Sequence, residues 1–217
     1  MKANMSQLIL ASLDEKSLKV FYRLKAFKSM GVLGGGTALS LQIGHRASYD
    51  FDIFSYQKLP RAWGNDIKKV FGNNCEKLLD FDDQLNLKTS DSVNITFFYD
   101  DFKLLFKPEK TPFIDLMNVW DVACNKAYII GRRPKWRDYI DLYFLLKEGH
   151  ITLKKTIDLS SKKFGSDFSE RLFLQQLVYW KDITDYKIQF LRENLPPNKI
   201  KSFLEKEVKK YKHQEFA

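Results

Sequence analysis

Three glycines in a row, Gly34-Gly35-Gly36, separate the apolar pair Val32-Leu33 from Thr37-Ala38-Leu39-Ser40-Leu41. Glycine lacks a Cβ and adopts backbone conformations that other residues avoid, so such a run marks a tight turn or a close approach of backbone. The flanking pattern predicts a short strand, a turn and a helix ending near Gly44. Before the turn, Leu18, Val20, Phe21, Leu24 and Phe27 recur at helical spacing from Ser17 to Met30, with Gly31 placed to end that helix. After it, Ser48 to Phe54 alternates polar and apolar residues, the period of a half-buried strand. Asp50 and Asp52 fall on one face of that strand, Phe51 and Ile53 on the other.

A short helix around Asp66 to Phe71 and strands near Glu76 to Phe81, Leu85 to Thr89 and Val93 to Tyr99 are expected to complete a mixed sheet. Beyond Pro112 the pattern changes. A brief apolar entry, Phe113 to Met117, leads into helical periodicity from Val119 to Ile130, from Trp136 to Leu146 and in later segments. Pro196-Pro197 breaks the chain before a last, lysine-rich helix. The expected class is α+β, with a core over residues 1–112 and a mostly helical domain over 113–217 that completes the active site.

The glycine turn and the aspartates suit one chemistry. Transfer of a nucleotidyl group from a nucleoside triphosphate (NTP) needs charge neutralised at both the attacking and the leaving oxygen, a task for two magnesium ions. Magnesium takes hard oxygen ligands and usually one or two protein carboxylates, which Asp50 and Asp52 supply at i and i+2. The triphosphate needs amide donors near the positive end of a helix, which Gly35, Gly36 and Thr37 supply. Taken singly, each element has a plain alternative. A glycine run commonly just reverses the chain, and Asp-x-Asp also occurs in solvated loops.

Gly35-Gly36-Thr37-Ala38-Leu39, followed by His45-Arg46-x-Ser48-x-Asp50-x-Asp52-x-Phe54, resembles the signature of the AbiEii/AbiGii toxin group of nucleotidyltransferases. That group, which includes the MenA toxins, is a branch of the DNA polymerase β-like fold. The resemblance implies that core fold and adds Arg46 and Ser48 to the nucleotide-binding positions. It extends to Asp121-x-x-x-x-Lys126-Ala127 and Arg137-Asp138-Tyr139-Ile140-Asp141-Leu142-Tyr143, running from about Leu33 to Leu146.

Chemically, a lysine offsets charge as pyrophosphate departs, and arginines such as Arg137 grip phosphate oxygens. Asp138 and Asp141 share a helix face at i and i+3, so one of them either orients Lys126 or an arginine or acts directly. The plain alternative is a salt-bridged surface between two helices. The resemblance implies that Lys126, which also binds nucleotide, and one later aspartate are required for activity. Asp141 is the choice made here, with Arg137 and Asp138 on the nucleotide side. One departure stands out: polymerase β-like enzymes commonly carry a third acid on a later strand, where this sequence has Thr96. The general base is left unassigned.

The formal charge of +9 favours polyanionic company. For the lysines between Lys199 and Lys212, a solvated face and an RNA-contacting patch remain equal alternatives. Cys75 and Cys124 fit neither a disulfide framework nor a zinc site, and suit packing in a reducing cytoplasm. The opening Met1-Lys2-Ala3-Asn4 with Leu8 to Ala11 is too short in apolar residues for a signal peptide. No window reaches the run of about 18 apolar residues that a membrane span needs, so a soluble, cytoplasmic protein is expected. The resemblance implies a toxin of a toxin–antitoxin or phage-defence pair that modifies RNA, the tRNA 3' end being a plausible target, with a cognate antitoxin as partner. The alternatives are an enzyme that adenylylates protein and a non-catalytic nucleotide-binding module of the same fold.

Overall fold

The structure, a computed structural model, describes residues 8–60 and 63–215. The opening Met1 to Asn4 lies outside them. The chain divides into two compact units, one of Met1–Asp101 with Lys107–Asn118, the other of Phe102–Phe106 with Val119–Ala217.

In the first unit Asp14 caps helix α1 (Glu15–Arg23) by accepting the Ser17 N–H at 2.8 Å. The amphipathic pattern continues past Arg23, but the backbone tightens into a 3-10 turn over Leu24–Phe27, so α1 ends before Met30. Gly31 does not stop the helix. It opens strand β1 (Gly31–Leu33), where an added Cβ would collide with the Phe54 carbonyl oxygen across the sheet. Helix α2 (Gly35–Ile43) follows and ends on Gly44 in the left-handed conformation, φ 60°, as the sequence suggested.

Strand β2 runs over Phe51–Ser55, starting later than the alternation from Ser48 implied, with Asp50 immediately before it. Helix α3 is Trp63–Phe71, and strands β3 (Glu76–Asp80), β4 (Gln84–Lys88) and β5 (Asn94–Phe98) complete a five-stranded sheet in the order β1-β2-β5-β4-β3. It is mixed, as expected: β2 and β5 pair in parallel and the other neighbours are antiparallel.

The alternation of side chains gives the sheet two unlike faces. Phe51, Ile53, Leu85, Leu87, Ile95 and Phe97 are buried in one core with Phe21 and Phe27 and with Trp63, Ile67 and Phe71 of α3. Asp52, Phe54, Asn86, Thr96 and Phe98 belong to the other face and are half-buried. Residues 115–117 run beside β1, where Leu33 N–H donates to the Asp115 carbonyl and Met117 N–H to that of Leu33. The Asp115 side chain is buried and ion-paired to Lys110 at 2.6 Å and Lys28 at 3.2 Å. Burial works against its charge, but the hydrogen bonds from Lys110 and Lys28 outweigh it and lower its pKa.

The second unit is helical: α4 (Val119–Ile130), α5 (Trp136–Lys147), α6 (Leu153–Phe164), α7 (Glu170–Gln176) and α8 (Pro197–Glu215). Pro197 opens α8, a position where its missing N–H costs nothing. Asp121 is fully buried, accepts the Leu105 and Phe106 N–H groups and pairs with Lys163 at 2.7 Å. It therefore anchors the segment 102–106 onto α4. Cys124 is buried and its thiol is pushed up to about 11 by that burial, while Cys75 is half-buried, both consistent with packing. No helix among the described residues is long and apolar enough to cross a membrane.

Candidate active site

The sequence requires two glycines where β1 turns into α2, and the structure gives the reason for each. A Cβ on Gly34 would meet the Phe54 ring at 2.5 Å and the Met117 methyl at 3.0 Å. A Cβ on Gly35 would meet Asp52 Oδ2 at 2.5 Å, and Gly35 has φ +64° besides. Only bare backbone fits between the start of α2 and the polar face of β2, so the absence of side chains lays the turn directly against Asp52. The Gly34 N–H donates to the Asp52 carbonyl oxygen at 2.8 Å and fixes that approach.

Replacing Gly35 by Ala imposes a left-handed φ on a residue with a Cβ and pushes that Cβ into the carboxylate. We expect a loss of about 1–3 kcal/mol of stability, with Asp52 displaced from its position. Chemical denaturation of the variant checks the first effect, and a crystal structure of the variant the second.

Thr37, buried in the first turn of α2, donates its hydroxyl to the Asp50 carbonyl oxygen and lies 2.8 Å from Ser48 Oγ. Thr37 and Ser48 thus fasten the chain entering β2 to the start of α2. On β5, Asn94 Nδ2 donates to Asp50 Oδ1 at 3.1 Å. Asn94 escaped the sequence reading because its relation to Asp50 depends on the parallel β2–β5 pairing, which local pattern does not reveal. The same register sets Thr96 directly beside Asp52, so the threonine stands where a third acid would have adjoined the pair. Among the described residues no group of three or more His, Cys, Asp or Glu side chains is arranged to hold a metal.

Gly35, Gly36 and Thr37 form the first turn of α2, which has no acidic residue and no side-chain cap at Gly34. The first N–H groups of an α-helix have no partner within it and carry the positive end of its dipole. Arg46 is buried and donates to the Ala47 carbonyl oxygen at 2.9 Å, and His45 is buried beside it. The first unit therefore gathers two carboxylates, a glycine turn and a helix N-terminus on one face of the sheet. The hard-oxygen donor set and the bare backbone at Gly35 would suit a hard divalent cation together with a polyphosphate.

In the second unit, Lys126 of α4 lies between two carboxylates of α5. Its Nζ is 2.6 Å from Asp138 Oδ1 and 2.7 Å from Asp141 Oδ2, with side chains 7 %, 1 % and 0 % exposed. The salt bridge between helices is present, but as a buried triad and not a surface feature. Asp138 Oδ2 is also buried and accepts no hydrogen bond among the described residues. Arg137, on the same helix, is exposed.

This architecture is shared with solved structures described as nucleotidyltransferases. A candidate nucleotidyltransferase from H. pylori has a similar fold, with a TM-score of 0.58, 21% identity, and 94% of this chain and 100% of that one covered. MenT4, the nucleotidyltransferase toxin Rv2826c of Mycobacterium tuberculosis H37Rv, also matches at 0.58, with 14% identity over 88% of this chain and 79% of its own. Within that fold, residues 19–109 match the family model described as the AbiEii nucleotidyl transferase toxin of type IV toxin–antitoxin systems. The matched segment includes the glycine turn and the Asp50–Asp52 pair, the motifs that carry the resemblance in the sequence. The chain is also 29% identical over 184 residues to the uncharacterized protein aq_aa25 of Aquifex aeolicus (strain VF5), covering 82% of this chain and 86% of that one.

Proposed function

We propose that this chain moves a nucleoside monophosphate from an NTP onto a hydroxyl of RNA, the tRNA 3' end being the preferred acceptor, as the toxin of a cytoplasmic toxin–antitoxin pair. The observation that carries the reading is the close approach of the Asp52 carboxylate to Gly35, where an added Cβ would stand 2.5 Å from Asp52 Oδ2. It joins the acidic pair to the glycine turn in one place.

Asp50 and Asp52 are the residues that would hold magnesium. What magnesium supplies when bound is neutralisation of charge on the α-phosphate and on the departing pyrophosphate. Asn94 keeps Asp50 Oδ1 oriented, and Thr37 with Ser48 holds the backbone on which Asp50 sits. The N–H groups of Gly35, Gly36 and Thr37 receive phosphate oxygens, with Arg46 as a neighbouring cation. Lys126, Asp138, Asp141 and Arg137 of the second unit are proposed as further requirements for transfer. MenT4, itself a nucleotidyltransferase toxin, supports the toxin role, and the family description supports a cognate antitoxin.

The test is to incubate the protein with magnesium, each α-labelled NTP in turn and a cell extract. Label is expected in a tRNA-sized, nuclease-sensitive product. Label that resists nuclease and yields to protease would replace RNA by a protein acceptor, and triphosphate binding with no pyrophosphate released would reduce the chain to a nucleotide-binding module.

A further inference from the structure

Helix α8 buries Ile200, Leu204, Val208 and Tyr211 in the helical unit. At about 100° per residue, Lys199, Lys206, Lys209, Lys210 and His213 fall within a single stripe about 100° wide on the other side of the helix. All five are exposed, and the stripe extends about 20 Å along the axis. The helix's acids lie off the stripe, Glu205 accepting the Trp180 indole N–H at 3.0 Å and Glu207 near the opposite margin. Lys199 reaches Glu193 at 3.5 Å, a loose, exposed pair that leaves the sign of the face unchanged.

We infer that this face of α8 docks the phosphate backbone of RNA, holding the acceptor by charge and not by sequence. The inference rests on the reading of RNA as acceptor and adds the surface that recruits it. A row of ammonium groups of one sign is what sequence-independent phosphate binding requires. A membrane surface fits less well. A helix lying in a bilayer interface needs an exposed apolar side, and the apolar side of α8 is already covered within its own unit.

The experiment compares two triple variants of equal charge change, Lys206→Glu/Lys209→Glu/Lys210→Glu on the stripe and Lys155→Glu/Lys181→Glu/Lys187→Glu at exposed positions elsewhere in the unit. Fluorescence anisotropy with labelled bulk tRNA, without NTP or magnesium, reads affinity over a series of KCl concentrations. The stripe variant should bind at least about tenfold more weakly, and its log-affinity should depend on log-salt with a slope shallower by about two to three. The control should lose no more than about threefold, because charge acting at long range is screened.

Equal losses in the two variants, or none in either, overturn the inference. So does binding to vesicles of phosphatidylcholine and phosphatidylserine, or to polyglutamate, that depends on the stripe while tRNA binding does not. Because no triphosphate is present, the result is independent of catalysis. Stripe-dependent tRNA binding by a protein that transfers no nucleotide would uphold this surface and reject the proposed chemistry.

Discussion

Asp52→Asn is expected to lower nucleotidyl transfer by about a thousandfold or more while the protein melts within a few degrees of the native chain. Loss of a carboxylate from the pair proposed to hold the metal would remove several kcal/mol of transition-state charge stabilisation, and each factor of ten corresponds to about 1.4 kcal/mol. The substitution keeps the shape of the side chain and does not touch the Gly34 N–H bond to the Asp52 carbonyl oxygen, so the turn should stay against β2. Thermal unfolding followed by circular dichroism and initial rates with saturating NTP give the two readings. Full transfer by a folded Asp52→Asn protein would sink the assignment of the acidic pair.

Lys126→Met is expected to act first on stability, costing about 3–5 kcal/mol, because it leaves two acids buried side by side with their shared cation gone. The cost is concentrated there because Asp138 already holds one oxygen without a hydrogen-bond partner among the described residues. Adding Asp138→Asn and Asp141→Asn to Lys126→Met should recover most of the loss, since neutral groups need no counter-ion. The triple variant then separates two roles. If it folds and fails to transfer, the triad serves the reaction; if it folds and transfers at the native rate, the triad is structural. Urea unfolding midpoints and transfer rates measured on the single and triple variants decide between them.

How much was legible in the sequence depended on whether a residue's role is local. Helix α4 runs over Val119–Ile130 as its periodicity foretold, and the αL end of α2 at Gly44 follows from glycine's own backbone freedom. The glycine turn was legible too, because three successive residues without a Cβ suit neither the interior of a helix nor that of a strand. Gly31 was misread since its requirement comes from the Phe54 carbonyl oxygen on a neighbouring strand, not from the helix before it.

Asp121 was grouped with Lys126 because the two form the Asp-x-x-x-x-Lys motif of the resemblance, yet its partners are backbone amides at Leu105 and Phe106 and the ammonium of Lys163. Nothing in the local pattern marks those contacts. The later start of β2 has a similar cause: alternation from Ser48 is compatible with a strand, but ladder pairing with β5 begins only at Phe51. Thr96 lay close enough to a recognisable pattern for its place to be read in advance, whereas Asn94 needed the register.

The parallel pairing of β2 with β5 also sets an order of assembly. Parallel neighbours cannot be joined by a tight hairpin, and here α3, β3 and β4 are all made before β5 exists to pair with β2. Contacts between segments so distant in sequence form slowly, since a long loop must close before they give anything back. A chain still emerging from the ribosome therefore carries Asp50 and Asp52 well before it has the strand whose Asn94 holds Asp50.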